Sequence, residues 1–167
     1  QGDYVEGYGA EGDDTITILG ASSWVSGDSG HDTLIGGAGN DTLKGDYTTG
    51  FSGNDILNGN GGDDYLEGND GDDTLDGGAG DDTLDGGLGS DTFIFNTGFG
   101  NDRITDFEVG LDSIKFFGDL YDSFPDGVFI GETADGHKFY SDGIGLNSVT
   151  LIGISYETVI QFDFIEN

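Results

Sequence analysis

Cysteine and methionine are absent from this 167-residue chain, proline occurs once, and lysine and arginine together number four. Without cysteine there is neither a disulfide scaffold nor a thiolate zinc site. Four basic residues against 34 acidic ones leave a formal net charge of −30. Such a charge repels nucleic acid phosphates and anionic membrane surfaces. No apolar run approaches the ~18 residues of a membrane span, so membrane insertion is not expected. Gln1-Gly2-Asp3-Tyr4 shows no basic segment leading into an apolar one, hence no visible N-terminal signal peptide. The missing initiator methionine suggests a piece of something longer. Catalytic signatures are missing as well: there is no HExxH and no G-x-S-x-G.

What is present is glycine, 34 residues of it, and enough apolar material to bury. Leu, Ile, Val and Phe number 43, above the ~20% typical of disordered chains. Self-repulsion at −30 opposes compaction, so either the chain is expanded or something cationic binds it.

A nine-residue repeat organises residues 1–105. Gly36–Lys44 (GGAGNDTLK), Gly77–Asp85 (GGAGDDTLD) and Gly86–Ile94 (GGLGSDTFI) give the pattern G-G-x-G-x-D-x-U-x, with U a large apolar residue. Residues 59–67 and 68–76 keep the frame, and five units run from Gly50 to Ile94 without a gap. Upstream, 9–17 and 27–35 fit, and 18–26 holds the register with Val25 in place but with Ser23 where the acid belongs. An insertion of five residues, near 45–49, interrupts the frame. A looser last unit ends in Asn101-Asp102-Arg103-Ile104.

Each unit reads as a glycine turn over positions one to six, then a three-residue strand with an apolar centre at position eight. The centres are Ile16, Val25, Leu34, Leu43, Leu57, Leu66, Leu75, Leu84, Phe93 and Ile104. One apolar side chain per nine residues is a thin core, so the turns must supply stability, and the turns carry aspartate. Their donors are all oxygen, which suits the six-to-eightfold coordination of calcium and not zinc or copper. A merely solvated acidic face would scatter its acids; here they recur at position six. The acids at position five (Asp63, Asp72, Asp81) and position nine (Asp76, Asp85) read as tuning local potential.

The repeat resembles the RTX (repeats-in-toxin) calcium-binding nonapeptides. That resemblance implies an all-β parallel β-roll, a β-solenoid with two nonapeptides per coil, and a C-terminal β-rich cap. With that coil, position-six acids two units apart share a row: Asp14, Asp32, Asp55, Asp73 and Asp91 on one side, and Asp41, Asp64, Asp82 and Asp102 on the other. Four adjacent pairs in one row and three in the other predict about seven calcium ions. The Ser23 unit is expected to bind poorly. The resemblance further implies that carbonyls at positions one to four complete each shell. These are carried onto Gly36, Gly37, Ala38 and Gly39, onto Gly77, Gly78, Ala79 and Gly80, and onto Gly86, Gly87, Leu88 and Gly89. It also implies the biology: a C-terminal module of a larger secreted bacterial protein, disordered where calcium is scarce and folding outside the cell. Its partners are then calcium, an upstream passenger domain and the type I secretion machinery. The alternative is a polysaccharide-binding or adhesin module.

Residues 106–167 change character, with 8 glycines against 26 in 1–105. Strand-like runs at 103–107, 113–117, 127–130, 137–140, 148–152 and 159–164 suggest a β cap over an otherwise open solenoid end. Ile104-Thr105-Asp106-Phe107 and Gly110-Leu111-Asp112-Ser113-Ile114 are similar to the segment that follows the repeats in many RTX proteins. Asp106 and Asp112 either close a last calcium site or blunt the edge. Asp163-Phe164-Ile165-Glu166-Asn167 resembles a type I secretion terminus. No catalytic residue is assigned. Gly27-Asp28-Ser29-Gly30 has the letters of a serine-protease string but sits in frame as a turn, and His31 and His137 read as surface residues. Trp24 either packs the insertion or a neighbouring domain, or stacks on a sugar.

Overall fold

A computed structural model of the chain describes residues 4–20, 22–47, 53–117, 129–133, 136–140 and 147–154. Within the repeats, strands form where a β-favouring residue flanks an apolar centre. They are β1 (Tyr4–Glu11), β2 (Thr15–Thr17), β3 (Ser22–Ser29), β4 (Thr33–Ile35), β5 (Thr42–Lys44), β6 (Ile56–Asn58), β7 (Tyr65–Asp70), β8 (Thr74–Asp76), β9 (Thr83–Leu88) and β10 (Thr92–Phe95). Beyond them come β11 (Asn101–Ile104), β12 (Ser113–Phe116), β13 (Phe129–Thr133), β14 (Gly136–Tyr140) and β15 (Ser148–Ile152).

Successive strands of the roll alternate between two parallel sheets, as a coil of two nonapeptides demands. One sheet runs β1-β3-β5-β7-β9-β11-β15-β14-β13 and the other β12-β10-β8-β6-β4-β2. The result is a parallel β-roll of about six turns. Register is set by the apolar centres, because a slip of one residue would turn each of them out of the core. Val25 pairs with Leu43, Leu43 with Leu66, Leu66 with Leu84, and Ile104 with Leu84 and Leu151. In the other sheet the stack is Ile16, Leu34, Leu57, Leu75, Phe93 and Ile114. All but Ile16 are buried, and the two stacks form one core. Ile16, in the edge strand β2, is only partly covered.

Two features depart from the sequence expectation. Some strands exceed three residues: β7 and β9 run on into the turn, where Asn69 pairs with Gly87 and Asp70 with Leu88. Glycine backbone there still has a parallel neighbour to bond, so the ladder continues. The sheets also run on past residue 105, with β12 parallel to β10 and β15 parallel to β11, before β14 and β13 turn antiparallel. This end is packed with aromatic rings: Phe95 lies 5.0 Å from Phe99 and 5.4 Å from Phe116, and Phe93 lies 6.1 Å from Phe107. The strand expected over 159–164 and the terminal Asp163–Asn167 motif fall outside the described residues.

Candidate metal centre

Each turn ends in its position-six aspartate, whose place is fixed by the buried apolar residue two positions on. Stacking therefore brings these acids into rows. Along the first row, the backbone N–H of Asp14 donates to Oδ1 of Asp32 (2.7 Å), Asp32 to Asp55 (2.8 Å), Asp55 to Asp73 (2.7 Å) and Asp73 to Asp91 (2.9 Å). Along the second, Asp41 donates to Asp64 (2.7 Å), Asp64 to Asp82 (2.8 Å) and Asp82 to Asp102 (2.9 Å). These are the two rows that the spacing predicts. Asp14 is half-exposed and the other eight are buried.

Only one oxygen of each carboxylate is used in this way. Oδ2 of Asp32, Asp55, Asp64, Asp73, Asp82, Asp91 and Asp102 is buried with no hydrogen-bond partner. A buried ionised carboxylate with an unpaired oxygen is costly unless a cation meets it. Burial accordingly pushes these groups up, against the opposing effect of the backbone N–H each accepts: Asp102 to about 9, Asp73 to about 8, Asp64 to about 7, and Asp55, Asp82 and Asp91 to about 6. Neighbouring acids of the row add to the rise.

The orphaned oxygens face carbonyls across a glycine cradle. A Cβ placed on Gly59 would lie 2.2 Å from Oδ2 of Asp64 and 2.5 Å from the carbonyl oxygen of Gly77. On Gly68 it would lie 2.2 Å from Asp73 Oδ2 and 2.5 Å from the Gly86 oxygen, and on Gly45 it would lie 2.1 Å from Asp55 Oδ2 and 2.6 Å from the Gly68 oxygen. Position one must therefore be glycine, and in these three turns the two atoms nearest the place of its missing side chain are oxygens. Among the described residues, no three His, Cys, Asp or Glu side chains converge on one point. An ion in this space would thus be held by carboxylates together with turn carbonyls.

The residues expected to contribute carbonyls are placed as follows. Those of Gly77 and Gly86 face the orphaned oxygens of Asp64 and Asp73. Those of Ala79 and Leu88 accept the backbone N–H of Gly62 (3.0 Å) and Gly71 (2.8 Å). Gly78, Gly80, Gly87 and Gly89 have left-handed φ (97°, 149°, 99° and 148°) and abut the backbone of the preceding coil. Gly36 accepts from Nδ2 of Asn60 (2.8 Å), Gly37 donates to Oδ2 of Asp41 (2.7 Å), Gly39 abuts Gly62, and Ala38 lies between them in the same turn. Gly27, Gly45, Gly59 and Gly68 also form position-one cradles. They went unassigned in sequence because their units lack the doubled glycine, yet glycine at position one is the sufficient signal.

Three exceptions sharpen the picture. Asp41 follows the degenerate unit, and both of its oxygens are satisfied: Ser23 Oγ donates to Oδ1 (2.9 Å) and Gly37 N–H to Oδ2. Asp106 and Asp112 are likewise filled. Asp106 accepts from Gly86 (3.0 Å) and Gly87 (2.5 Å), and Asp112 accepts from Asp91 (3.0 Å) and Glu108 (2.7 Å). They cap the last coil with hydrogen bonds. Gly45 itself holds position one, since Gly27 N–H donates to its carbonyl and it donates to Glu67; the extra residues therefore lie between Gly45 and Gly53.

Position five forms a second, outer ladder that the sequence reading missed. Asp13 accepts from His31 N–H (2.9 Å), His31 Nδ1 from Asn54 (2.7 Å), Asn54 from Asp72 (3.1 Å) and Asp72 from Ser90 (2.9 Å). Across the roll, Asn40 accepts from Asp63, Asp63 from Asp81, and Asp81 from Asn101. The legible signal was that position five is confined to residues with an acceptor side chain. Position-nine acids bond locally: Asp76 accepts from Asn96 (2.8 Å) and Asp85 from Thr105 (2.8 Å). Trp24 packs against Tyr8 (5.2 Å) and against Tyr47 at the start of the insertion (6.1 Å). The side chain of His137 lies outside the described residues.

Comparison with known proteins adds three findings. Of the curated proteins, none matches the chain. Among solved structures, the AlgE6R3 subunit of the Azotobacter vinelandii mannuronan C5-epimerase is 27% identical, with a TM-score of 0.40 over 95% of this chain and 80% of that one. The extracellular lipase LipA of Serratia marcescens is 19% identical, with a TM-score of 0.40 over 97% of this chain, which spans 40% of the lipase. The family model of the RTX calcium-binding nonapeptide repeat (four copies) matches residues 22–46, 49–84 and 59–93. Residues 22–46 and 49–93 of this chain are RTX calcium-binding nonapeptide repeats.

Proposed function

We propose that calcium is a structural component of this roll and that the chain is a non-catalytic folding module. The observation that carries this reading is the set of seven ladder acids, each with one buried oxygen left unpartnered. Asp14, Asp32, Asp55, Asp73 and Asp91 on one side, and Asp41, Asp64, Asp82 and Asp102 on the other, would hold about seven ions between successive turns, with glycine carbonyls completing the shells. Calcium bound there neutralises the rows. Its binding free energy then becomes folding free energy.

A module of this kind serves a secreted parent protein. It stays unfolded where calcium is scarce, passes through type I secretion machinery, and folds outside the cell beside an upstream passenger domain. Residues 1–105 are the calcium-holding part and 106–167 the cap and export region. In chelator, circular dichroism of the chain should show the repeats disordered, with β structure returning in millimolar calcium. A spectrum indifferent to chelator would overturn the reading.

One observation favours polysaccharide binding as a second role. Tyr8 and Tyr47 are more than half exposed beside Trp24, and such rings stack on sugar faces. A glycan array probed with and without calcium distinguishes the two roles, since a pure folding module binds nothing.

A further inference from the structure

Asp46 belongs to neither ladder, yet it is fully buried and neither of its carboxylate oxygens has a hydrogen-bond partner. It occupies position two, directly after the cradle glycine Gly45. At the same position Asp28, Asn60 and Asn69 adopt left-handed φ (74°, 67° and 82°) and their turns close at once. Asp46 does not adopt it, and seven residues lie between Gly45 and Gly53 where two lie between Gly68 and Gly71. The insertion thus begins at the residue that elsewhere shapes the turn. The Asp46 carbonyl is already engaged by Nδ2 of Asn69 (3.0 Å), which leaves its carboxylate as the free donor.

The charged groups that act on that carboxylate are the acids Asp55, Asp70 and Asp32, and the backbone N–H of Asp70 opposes their effect. Lys44, the basic residue nearest in sequence, is ion-paired with Glu67. Burial together with these acids pushes Asp46 up to about 7. Protonation would let one oxygen donate to a neighbouring carboxylate but would leave the other oxygen of Asp46 unpaired. A cation satisfies both oxygens.

We infer that Asp46 supplies an additional carboxylate to the cation site beside Asp55, taking the place of turn backbone that the insertion displaces. The cradle at Gly45, walled by Asp55 Oδ2 and the Gly68 carbonyl, lies one residue away. This site would then carry more ligand charge than the others in its row, and ligand charge is one of the factors that tune calcium affinity. The insertion that interrupts the repeat would in that case build the tightest site of the roll.

The inference rests on the calcium reading, and the test separates the two. The whole chain, D46N and D28N are compared by equilibrium dialysis against calcium, with bound metal counted by atomic emission. Asp28 is the control, a position-two acid that accepts only a long bond from Ser26 Oγ (3.4 Å). The expected result is that D46N loses one ion or binds its tightest ion at least ~tenfold more weakly, while D28N matches the parent chain. If D46N keeps the parent's stoichiometry and affinities, or if D28N loses as much as D46N, the role of Asp46 is overturned and the calcium reading stands. If the parent chain itself binds no calcium, the calcium reading is overturned and this inference with it. Should D46N fail to fold, D46E is measured in its place; a restored length of carboxylate must then retain the tight ion.

Discussion

Two neighbouring pairs in the same row behave in opposite ways. Between Ser23 and Asp41, a hydroxyl stands opposite a carboxylate, and Asp41 has a donor for each oxygen. Between Asp64 and Asp82, two carboxylates meet, and each keeps a buried oxygen without one. The backbone geometry is alike, since Val25 stacks on Leu43 as Leu66 does on Leu84. Oδ1 has a donor in all three acids, so the difference lies at Oδ2: the Gly37 N–H reaches it in Asp41, and no donor reaches it in Asp64 or Asp82. The coil at the degenerate unit is thus closed by hydrogen bonds, within an array whose other buried acids each keep an oxygen unpartnered.

The strongest way to break this comparison is to substitute the acids on either side of it. In D64N the amide oxygen can still accept from Asp41 N–H, while the charge leaves the cradle. Stability in chelator should rise, and the calcium concentration needed for folding should increase several-fold. D41N should do the reverse in chelator: an amide N–H₂ cannot serve both Ser23 and Gly37 as acceptor, so about 1–2 kcal/mol is lost with or without calcium. Calcium titrations followed by circular dichroism, with the residual β structure in chelator as their starting point, check the pair, and equal behaviour of the two variants would erase the contrast.

A pH series comes next. Asp102, Asp73 and Asp64, pushed to about 9, 8 and 7, hold protons in the folded state that they release when unfolded. The folded form therefore binds more protons between about pH 4 and pH 9, and without calcium its stability should fall as pH rises through that window. Calcium competes with those protons, so its apparent affinity should climb over the same range. Thermal melts at limiting calcium, corrected for the calcium bound, or residual β structure in chelator that improve towards alkaline pH would contradict the assignment.

Smaller effects test the self-sufficient turn. S23A removes one buried hydrogen bond and should cost ~1 kcal/mol without changing the number of bound ions. S23D recreates an acid pair and should add one ion, which a metal count would reveal. In the outer ladder, H31A removes an exposed acceptor for Asn54 N–H and should cost at most ~1 kcal/mol by denaturant titration.

Much of this was legible because the repeat is its own ruler. Nine residues per unit, with the two units per coil that the family resemblance implies, place Asp55, Asp73 and Asp91 in line, and the core follows from position eight. Legibility fails where a residue's role depends on where the chain leaves that lattice. Asp46 looks like an acid in an inserted loop; its burial depends on Gly45 still sitting in the cradle. Asp106 and Asp112 had two readings because sequence shows an acid's position but not which donors reach it. In sequence the position-five acids read as tuning local potential, although Asp63, Asp72 and Asp81 accept a backbone N–H from the next coil. That misreading treated charge as their purpose when acceptor capacity was the shared property.

The insertion after Gly45 leaves one further mark. Asp32 and Asp55 are 23 residues apart where Asp55 and Asp73 are 18 apart, yet their contacts measure 2.8 Å and 2.7 Å. The ladder closes across the surplus length as though nothing had been added. The stacking thus tolerates extra sequence at this point, so an epitope, a linker or a reporter peptide grafted between Tyr47 and Gly53 should leave the pitch of the roll unchanged.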